Sequence, residues 1–412
     1  MNLKRHVKHN KFMYGFFLPY LLAGVVSAVE LLPTGTGDDY ATIQNALDNM
    51  KAGDAILLNG DFKFGRTLYL PSNITWILNG TMTLANNAVL DKVGVVEPGV
   101  DSRRSTGITE IPGGATNIKM FGGTYEGNAE NNSKQKVRLI NFTHVTHSKF
   151  QDMIIQNVSD DNFTIGAKST FNECRNLLGK AAGGNALTDK GDYNKWYDCV
   201  AEDCLSDGWT PKCRNSEFYR CVGRRNLGPG FGCFARLDGS NPDQGEIITG
   251  NKFYACESYD NERGGFSFNI AGTSGPGSII RDNFIQGVFY NNKRQGVTFR
   301  NKQPDGIIEN NAVDIIAYGN QGQKNDGTLS SYAGGLGIEG SPITGLTGSF
   351  IGYDNAGYDL NVKSATFCTL TVYIPNGGSE PIVAGGDISN SIDRVMFSCP
   401  SAWCIQNYCE ME

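Results

Sequence analysis

A short internal repeat constrains this chain more than any other feature of its sequence. Three segments begin with an aromatic residue and end with cysteine three positions later, and each cysteine is followed nine residues on by glycine and an aromatic residue. Looser copies extend the series in both directions. The aligned positions are Met153, Cys174, Cys199, Cys221, Cys256 and Gly287, spaced 21, 25, 22, 35 and 31 residues apart. A period of this length predicts a solenoid.

The composition of each repeat favours strands over helices. The unit is short and rich in aromatic and β-branched residues, and runs such as Gly265 to Ile270 alternate polar and apolar side chains. Coils of about 22 residues with three short strands each describe a single-stranded parallel β-helix, in which equivalent positions stack about 4.8 Å apart. The cysteines from Cys174 to Cys256 are then expected to form an internal ladder of buried thiols, in preference to disulfides or metal ligands.

We expect one elongated all-β domain over residues 29–412, closed at both ends. Ala41, Ile43, Ala46, Leu47 and Met50 follow helical spacing and predict an amphipathic N-terminal cap within residues 35–60. Residues 345–412 are expected to contain late coils and a C-terminal cap bearing cysteines. Cys368 and three cysteines in the last fourteen residues suggest that disulfides staple this cap.

Residues 1–28 have the pattern of a secretory signal peptide. Four basic residues precede an apolar stretch that ends in Val26-Ser27-Ala28. Of the 36 basic residues, 32 remain after cleavage, against 42 acidic ones, so the mature chain carries a net charge of −10. This balance argues against nucleic acid as a partner. We expect a secreted monomer, free of the membrane once the signal is removed.

Sequons for N-glycosylation suit a secreted glycoprotein, although the same pattern arises by chance in asparagine-rich sequence. They begin at Asn73, Asn79, Asn131, Asn141, Asn157 and Asn162.

The segment Asp39 to Leu47, followed by Gly53 to Gly60 and the later coils, resembles the pectin-lyase-like superfamily of right-handed parallel β-helices. The resemblance covers most of residues 35–340. Members act mainly on polysaccharides, as lyases, polygalacturonases, uronan C5-epimerases and pectin esterases. The resemblance therefore implies a polysaccharide substrate, but one scaffold hosts several chemistries.

Two segments are similar to the catalytic region of mannuronan C5-epimerases. The stretch Tyr125 to Lys136 resembles a motif that is followed by a catalytic lysine, and Lys136 or Lys134 matches it. The stretch Ser206 to Lys212 resembles the family's Y-G-F-D-P-H segment, but Lys212 replaces the histidine and Thr210 the aspartate. The same stretch is similar to a calcium loop of pectate lyases with one carboxylate left, so calcium is a possible cofactor and no other is implied.

Lyases and epimerases both remove a proton from the carbon next to a uronate carboxylate. This step needs a base of matched pKa and cations that neutralise the developing charge. We expect Lys212 to be the base, Arg214 and Arg236 to neutralise the carboxylate, and Asp207 to orient the substrate or act as acid, with Lys136 as a further catalytic candidate. The remaining candidates for substrate binding are Lys134, Arg138, Lys168 and Trp209.

Two alternatives stay open. Asp161 and Asp207 occupy equivalent positions two coils apart, about 10 Å along the axis, near the upper limit for an inverting glycoside hydrolase. A polygalacturonase mechanism is disfavoured because no G-H-G follows the adjacent pair Asp160-Asp161. The second alternative is that the chain is a non-catalytic, carbohydrate-binding adhesin. This alternative predicts no cleft with acidic and basic residues on one face.

Overall fold

A computed structural model describes residues 27–35, 37–93, 104–235, 237–238, 241–271, 277–322, 334–340, 343–356, 358–362, 365–366, 368–373, 382–384 and 392–398. For 237–238, 241–245, 365–366, 382–384 and 392–398 only the backbone is described. The expected signal peptide lies almost wholly outside these residues, as do Arg236 and the three C-terminal cysteines.

Three parallel sheets wind through the described residues. Sheet 1 contains Ala28–Leu31, Ala55–Asn59, Phe62–Arg66, Thr75–Asn79, Thr81–Val89, Lys119–Phe121, Thr124–Glu126, Lys149–Gln151, Ile154–Val158, Glu173–Arg175, Leu178–Ala182, Lys195–Tyr197, Val200–Glu202, Glu217–Tyr219, Val222–Arg224, Lys252–Tyr259, Phe284–Tyr290, Ala312–Tyr318, Thr347–Tyr353, Cys368–Tyr373 and Ile392–Ser398.

Sheet 2 contains Leu68–Leu70, Lys92–Val93, Arg104–Glu110, Val137–Phe142, Phe163–Ile165, Leu187–Asp189, Trp209–Pro211, Phe231–Ala235, Phe266–Ile270, Val297–Asn301, Leu336–Gly340, Leu360–Val362 and Ile382–Ala384; within it, Lys92–Val93 alone pairs antiparallel. Sheet 3 contains Ala115–Thr116, Val145–Thr146, Ile247–Thr249, Ile279–Arg281, Ile307–Glu309, Ile343–Thr344 and Ala365–Thr366, and single bridges at Thr170, Asp192 and Arg214 connect its two parts. An antiparallel hairpin, Leu237–Asp238 with Asn241–Gly245, branches from one coil.

The α-helix Tyr40–Asp48 covers the N-terminal end of the coils, as its apolar spacing predicts. Ile43 and Leu47 are buried and join the core cluster. A 3-10 turn, Ala129–Asn131, is the other helical element in the described residues.

The aromatic and cysteine motif forms the core in the predicted register. Trp196, Phe218 and Phe253 are cross-strand neighbours, with ring centroids 6.3 Å and 4.6 Å apart. The valines that directly follow Cys199 and Cys221 are cross-strand partners, so these two cysteines are aligned as well. Cys256 is aligned with Gly287 on the next coil. The repeat is therefore confirmed as the winding period of a parallel β-helix.

One position of the predicted cysteine ladder is wrong. Cys174 pairs with Phe150 and Trp196, and so belongs to the aromatic column. Because Leu178 pairs with Val200, Leu177 occupies the place beside Cys199. In this coil the observed register differs from the predicted one by three residues. The prediction aligned cysteine with cysteine, whereas the β-helix has an apolar residue of another type in that column.

The described cysteines are buried, and no disulfide joins any two of them: Cys174, Cys199, Cys204, Cys213, Cys221, Cys233, Cys256 and Cys368. Two of the six sequons are also corrected, because Asn141 and Asn162 are at most 1% exposed and cannot carry a glycan in the folded chain. Among the described residues, no helix is long and apolar enough to cross a membrane.

Candidate active site

The outer face of sheet 2 carries a row of hydroxyl groups. Thr164, Thr188 and Thr210 are aligned on successive strands, each next to a core residue that faces the opposite way. All three are at most 5% exposed, and their Oγ1 atoms have no hydrogen-bond partner among the described residues. Buried polar atoms normally find partners, so a row of three such hydroxyls marks this face as unusual.

A row of acidic and amide groups runs beside the hydroxyls. Asn185 donates its backbone N–H to Asp161 Oδ1 at 2.8 Å, and Asp207 donates its own to Asn185 Oδ1 at 3.2 Å. Asp161 and Asp207 therefore lie two coils apart, as their spacing predicts. Arg138 occupies the preceding coil and lies 3.1 Å from Asp161 Oδ2 through Nε.

Glycines show where the carboxylate of Asp207 lies. A Cβ built on Gly232, which follows Thr210 in the hydroxyl row, would come within 2.4 Å of Asp207 Oδ2. A Cβ on Gly228 would come within 2.3 Å of Oδ1. The side chain of Asp207 therefore lies against Gly232, next to Thr210 in the row, and only glycine leaves room for it.

Two lysines line the other side of the hydroxyl row. Lys190 and Lys212 directly follow paired strand residues and so lie on adjacent coils. The ammonium group of Lys212 is 2.7 Å from Glu246 Oε2, and only 10% of the Lys212 side chain is exposed. No hydrogen bond or ion pair of the Lys190 ammonium group falls within the described residues.

The environment favours the neutral form of Lys190. Burial is the largest cause, followed by the positive charges of Lys212 and Arg138, and together they lower the pKa of Lys190 to about 8. Glu246 and Asp161 oppose this effect. An amine with this pKa is a usable base near neutral pH.

The opposite shift occurs at Asp160. Burial and then the adjacent charge of Asp161 raise the pKa of Asp160, while Arg138, Arg104 and Lys136 oppose the change. Arg104 Nε lies 3.1 Å from Asp160 Oδ2. The face thus carries one carboxyl group whose pKa is raised and one amine whose pKa is lowered. Perturbed pKa values of this kind cluster at functional sites.

The structure brings Arg138, Asp161, Asp207 and Lys212 to one face, as expected for a site. Lys134, Lys136 and Lys168 are exposed side chains around it, and Lys136 influences Asp160. Arg214 is half exposed and forms an ion pair with Asp192 on sheet 3. Its neighbour on the next coil is Thr249, and Arg236 lies outside the described residues.

Trp209 is a correction. Its ring is fully buried, stacks on Phe231 at 5.7 Å and donates from Nε1 to the Val222 carbonyl at 2.9 Å. A ring with no exposed surface cannot contact a polymer. The alternation of sheet 2 explains the error, because Trp209 faces inward where Thr210 faces outward.

Lys190, Asp160 and Glu246 are the site residues that sequence reasoning missed. Lys190 and Lys212 are 22 residues apart, the same spacing as Cys199 and Cys221. Aligning Leu177 in place of Cys174 puts Lys190 and Lys212 in one column. Glu246 lies 34 residues from Lys212 in the sequence, and here it neutralises Lys212. Across the described part of the chain, no three His, Cys, Asp or Glu side chains converge as a metal site.

Comparisons with known proteins identify the fold. No protein-family model matches the chain, and no curated protein matches its sequence. The chain is similar in structure to the A-module of a mannuronan C-5 epimerase from Azotobacter vinelandii, with a TM-score of 0.61 and 15% identity, covering 89% of this chain and 97% of that one.

A polygalacturonase from Erwinia carotovora subsp. carotovora matches with a TM-score of 0.52 and 13% identity, covering 90% of this chain and 96% of that one. A tailspike of the Acinetobacter phage vb_AbaP_AS12 matches at 0.53 and 13%, covering 84% and 63%. The chain has the pectin-lyase-like right-handed β-helix fold, as its sequence resemblance implies. At these identities the likeness establishes the fold and leaves the reaction open.

Proposed function

We propose that this protein is a secreted enzyme that acts on a uronate-containing polysaccharide at the outer face of sheet 2, by abstracting a proton next to the carboxylate. The observation that carries the proposal is the amine of Lys190, which lies between two cations that have carboxylate partners and has no ion-pair partner of its own among the described residues. The structural neighbours include polysaccharide-acting enzymes, which is consistent with this substrate class.

The roles of the two lysines differ because their surroundings differ. Lys212 forms an ion pair with Glu246, so its ammonium group is held in place as a cation for the substrate carboxylate. We therefore transfer the role of base from Lys212 to Lys190. Arg138 offers a second cation with the planar geometry that carboxylates match.

The chemistry balances with groups of the chain alone. The neutral amine of Lys190 takes the proton from C5, and the electron pair moves into the carboxylate as an enediolate next to Arg138 and Lys212. In elimination, the pair then forms the C4–C5 double bond, the bond from C4 to the glycosidic oxygen breaks, and Asp207 supplies the proton to that oxygen. In epimerisation, a proton from water reaches C5 from the opposite face, the Lys190 ammonium group returns its proton to solvent, and no bond of the polymer breaks.

The test uses the purified chain with alginate, polygalacturonate and hyaluronan. Ultraviolet absorbance of unsaturated ends indicates elimination, and inversion at C5 without cleavage, read by proton NMR, indicates epimerisation. Either product supports the proposal. Absence of turnover on all three polymers, with binding retained, would instead support a carbohydrate-binding protein.

Inverting hydrolysis is the second candidate, favoured by the alignment of Asp161 and Asp207 on alternate coils with Asn185 between them. Their spacing of about 10 Å along the axis leaves room for a sugar and a water molecule. The same assay separates this candidate, since hydrolysis creates reducing ends without unsaturated ones. Loss of those reducing ends in Asp207→Asn would assign the reaction to this pair.

A further inference from the structure

A turn that repeats along the β-helix carries an unusual set of residues beside the candidate site. At the turn that follows sheet 3 in each coil, one residue adopts a left-handed backbone. Its N–H donates a hydrogen bond to the next coil, where the acceptor is the carbonyl of the residue just before the equivalent left-handed residue. Within the described residues this position is held by Asn73, Asn117, His147, Phe171, Tyr193, Asn215, Gly250, Asp282, Asn310 and Gly345.

Seven of these ten are asparagine, aspartate or glycine, the residues that tolerate a positive φ. The exceptions are His147, Phe171 and Tyr193, with φ of 52°, 58° and 57°. Bulky side chains in this conformation are strained, and such strain concentrates at functional positions. Three consecutive exceptions therefore require an explanation in addition to the turn itself.

The three side chains form one exposed stack. The ring centroids of His147 and Phe171 are 5.3 Å apart, and those of Phe171 and Tyr193 are 5.1 Å apart. Phe171 is 53% exposed and Tyr193 48%, whereas most aromatic rings of the same coils lie in the core. Large exposed apolar groups that occur together mark interaction surfaces more often than isolated ones do.

The position of the stack connects it to the groove. His147, Phe171 and Tyr193 belong to the coils that supply Arg138, Asp161 and Lys190 respectively. Tyr193 follows Lys190 by three residues, so their backbones are at most about 10 Å apart. On the coils before and after, the turn returns to asparagine. The aromatic residues are thus confined to three consecutive coils of the candidate site, which extends one coil further to Asp207 and Lys212.

From this confinement we infer that His147, Phe171 and Tyr193 form a carbohydrate-contact rim, which holds the glycan chain where it leaves the groove. The inference rests on the proposed function for the identity of the ligand. The C–H groups of a sugar ring pack on the exposed aromatic surface, while the Tyr193 hydroxyl and the His147 imidazole offer hydrogen bonds to sugar hydroxyls. This contact requires no charge on the sugar. It should therefore strengthen the binding of longer glycan chains and discriminate little between sugar substituents.

The alternative is that the rings only stabilise the turn by stacking on one another. The two explanations predict opposite results for Phe171→Asn, Tyr193→Asn and the double variant, which install the residue that neighbouring turns use. A contact rim predicts an unchanged or higher melting temperature, because asparagine relieves the backbone strain. A structural stack predicts a lower melting temperature and unchanged polymer binding.

Binding is measured by affinity electrophoresis in gels that contain alginate, polygalacturonate or hyaluronan, with neutral xylan as a further probe. We expect the double variant to bind a retained polymer about tenfold more weakly, and to raise KM for long chains while kcat stays near that of the parent. Tyr373→Asn is the matched control, because it removes a 40% exposed ring from sheet 1, and it should change neither value.

The outcomes separate this inference from the proposed function. If the parent turns over a polymer and the double variant binds that polymer as tightly as the parent does, the contact rim is rejected and the proposed enzymatic function stands. If the double variant binds polymer more weakly than the parent and the parent turns over no polymer, the contact rim stands and the enzymatic function is rejected. A parent chain that neither binds nor converts any of the four glycans overturns both.

Discussion

Sheet 1 and sheet 2 differ in how the charged side chains of the same two coils find ion-pair partners. On the outer side of sheet 1 and its turns, each cation has an acidic neighbour one coil away: Arg220 with Asp198, Arg225 with Asp203, Arg224 with Glu202 and Lys195 with Glu217. On sheet 2, Lys190 has no such neighbour in the described residues and the threonine hydroxyls are unbonded. Stacking coils in register satisfies charges cheaply, as it does for Arg138 and Lys212 on sheet 2 itself. The lack of such a partner at Lys190 among the described residues therefore indicates a requirement other than stability.

The largest difference between the two faces should be in activity. Lys190→Met removes the proposed base, and we expect turnover of the converted polymer to fall by about 10²- to 10⁴-fold. Lys195→Met removes a half-exposed lysine of sheet 1 and should leave turnover unchanged. Both variants should fold, which circular dichroism checks. Equal activity in the two variants would refute the assignment of Lys190.

The pH profile sharpens the same contrast. Since the pKa of Lys190 is lowered to about 8, activity should rise with pH and reach half its maximum near that value. Lys212→Met removes a cation that lowers this pKa, so the pKa of Lys190 should rise in that variant. NMR of ¹³C-labelled lysine side chains measures it directly, independent of substrate. No movement of the Lys190 resonance would contradict the coupling of the two lysines.

The same group makes stability depend on pH with a defined sign. The folded pKa of Lys190 lies below the ordinary value of 10.5, so the unfolded chain binds more protons between about 8 and 10.5. The contribution of Lys190 to the free energy of unfolding should therefore increase as pH rises through this window. Urea titrations of the parent and of Lys190→Met across the window isolate that contribution, and parallel curves would disprove it.

A smaller effect is expected at the hydroxyl row. Thr188→Val keeps the shape of the side chain and removes a buried hydroxyl that has no partner among the described residues, so the free energy of unfolding should rise by about 1 kcal/mol. Thr298→Val, further along the same row, is the control without that gain. Urea denaturation measures both. Destabilisation of Thr188→Val beyond that of the control would mean that its hydroxyl is bonded in solution.

The smallest effect is expected on sheet 1. Arg220 pairs with Asp198 at 2.7 Å, but its side chain is 57% exposed, and exposed pairs contribute only about 0 to 1 kcal/mol. Arg220→Ala should therefore lower the free energy of unfolding by less than 1 kcal/mol and leave turnover unchanged. A larger loss would show that the pair supports the left-handed turn at Arg220 as well as the charge balance.

Much of the fold was predictable from local spacing, and the site was predictable in part. The recurring pattern of an aromatic residue three positions before a cysteine placed Trp196 beside Phe218, and the same count placed Asp161 and Asp207 on one row. The count failed at Cys174, where an aligned cysteine hid the true register by three residues. That slip concealed the alignment of Lys190 with Lys212, and with it the candidate amine whose pKa is lowered.

Sequence by itself determined the winding period, because apolar residues must recur once per coil for a parallel β-helix to fill its core, and here aromatic residues and cysteines mark that recurrence. Tertiary structure alone decided which charges meet. Glu246 reaches Lys212 across 34 residues, and Trp209 turns inward while Thr210 turns outward. These outcomes depend on register and on strand alternation, where a shift of one residue exchanges core and surface.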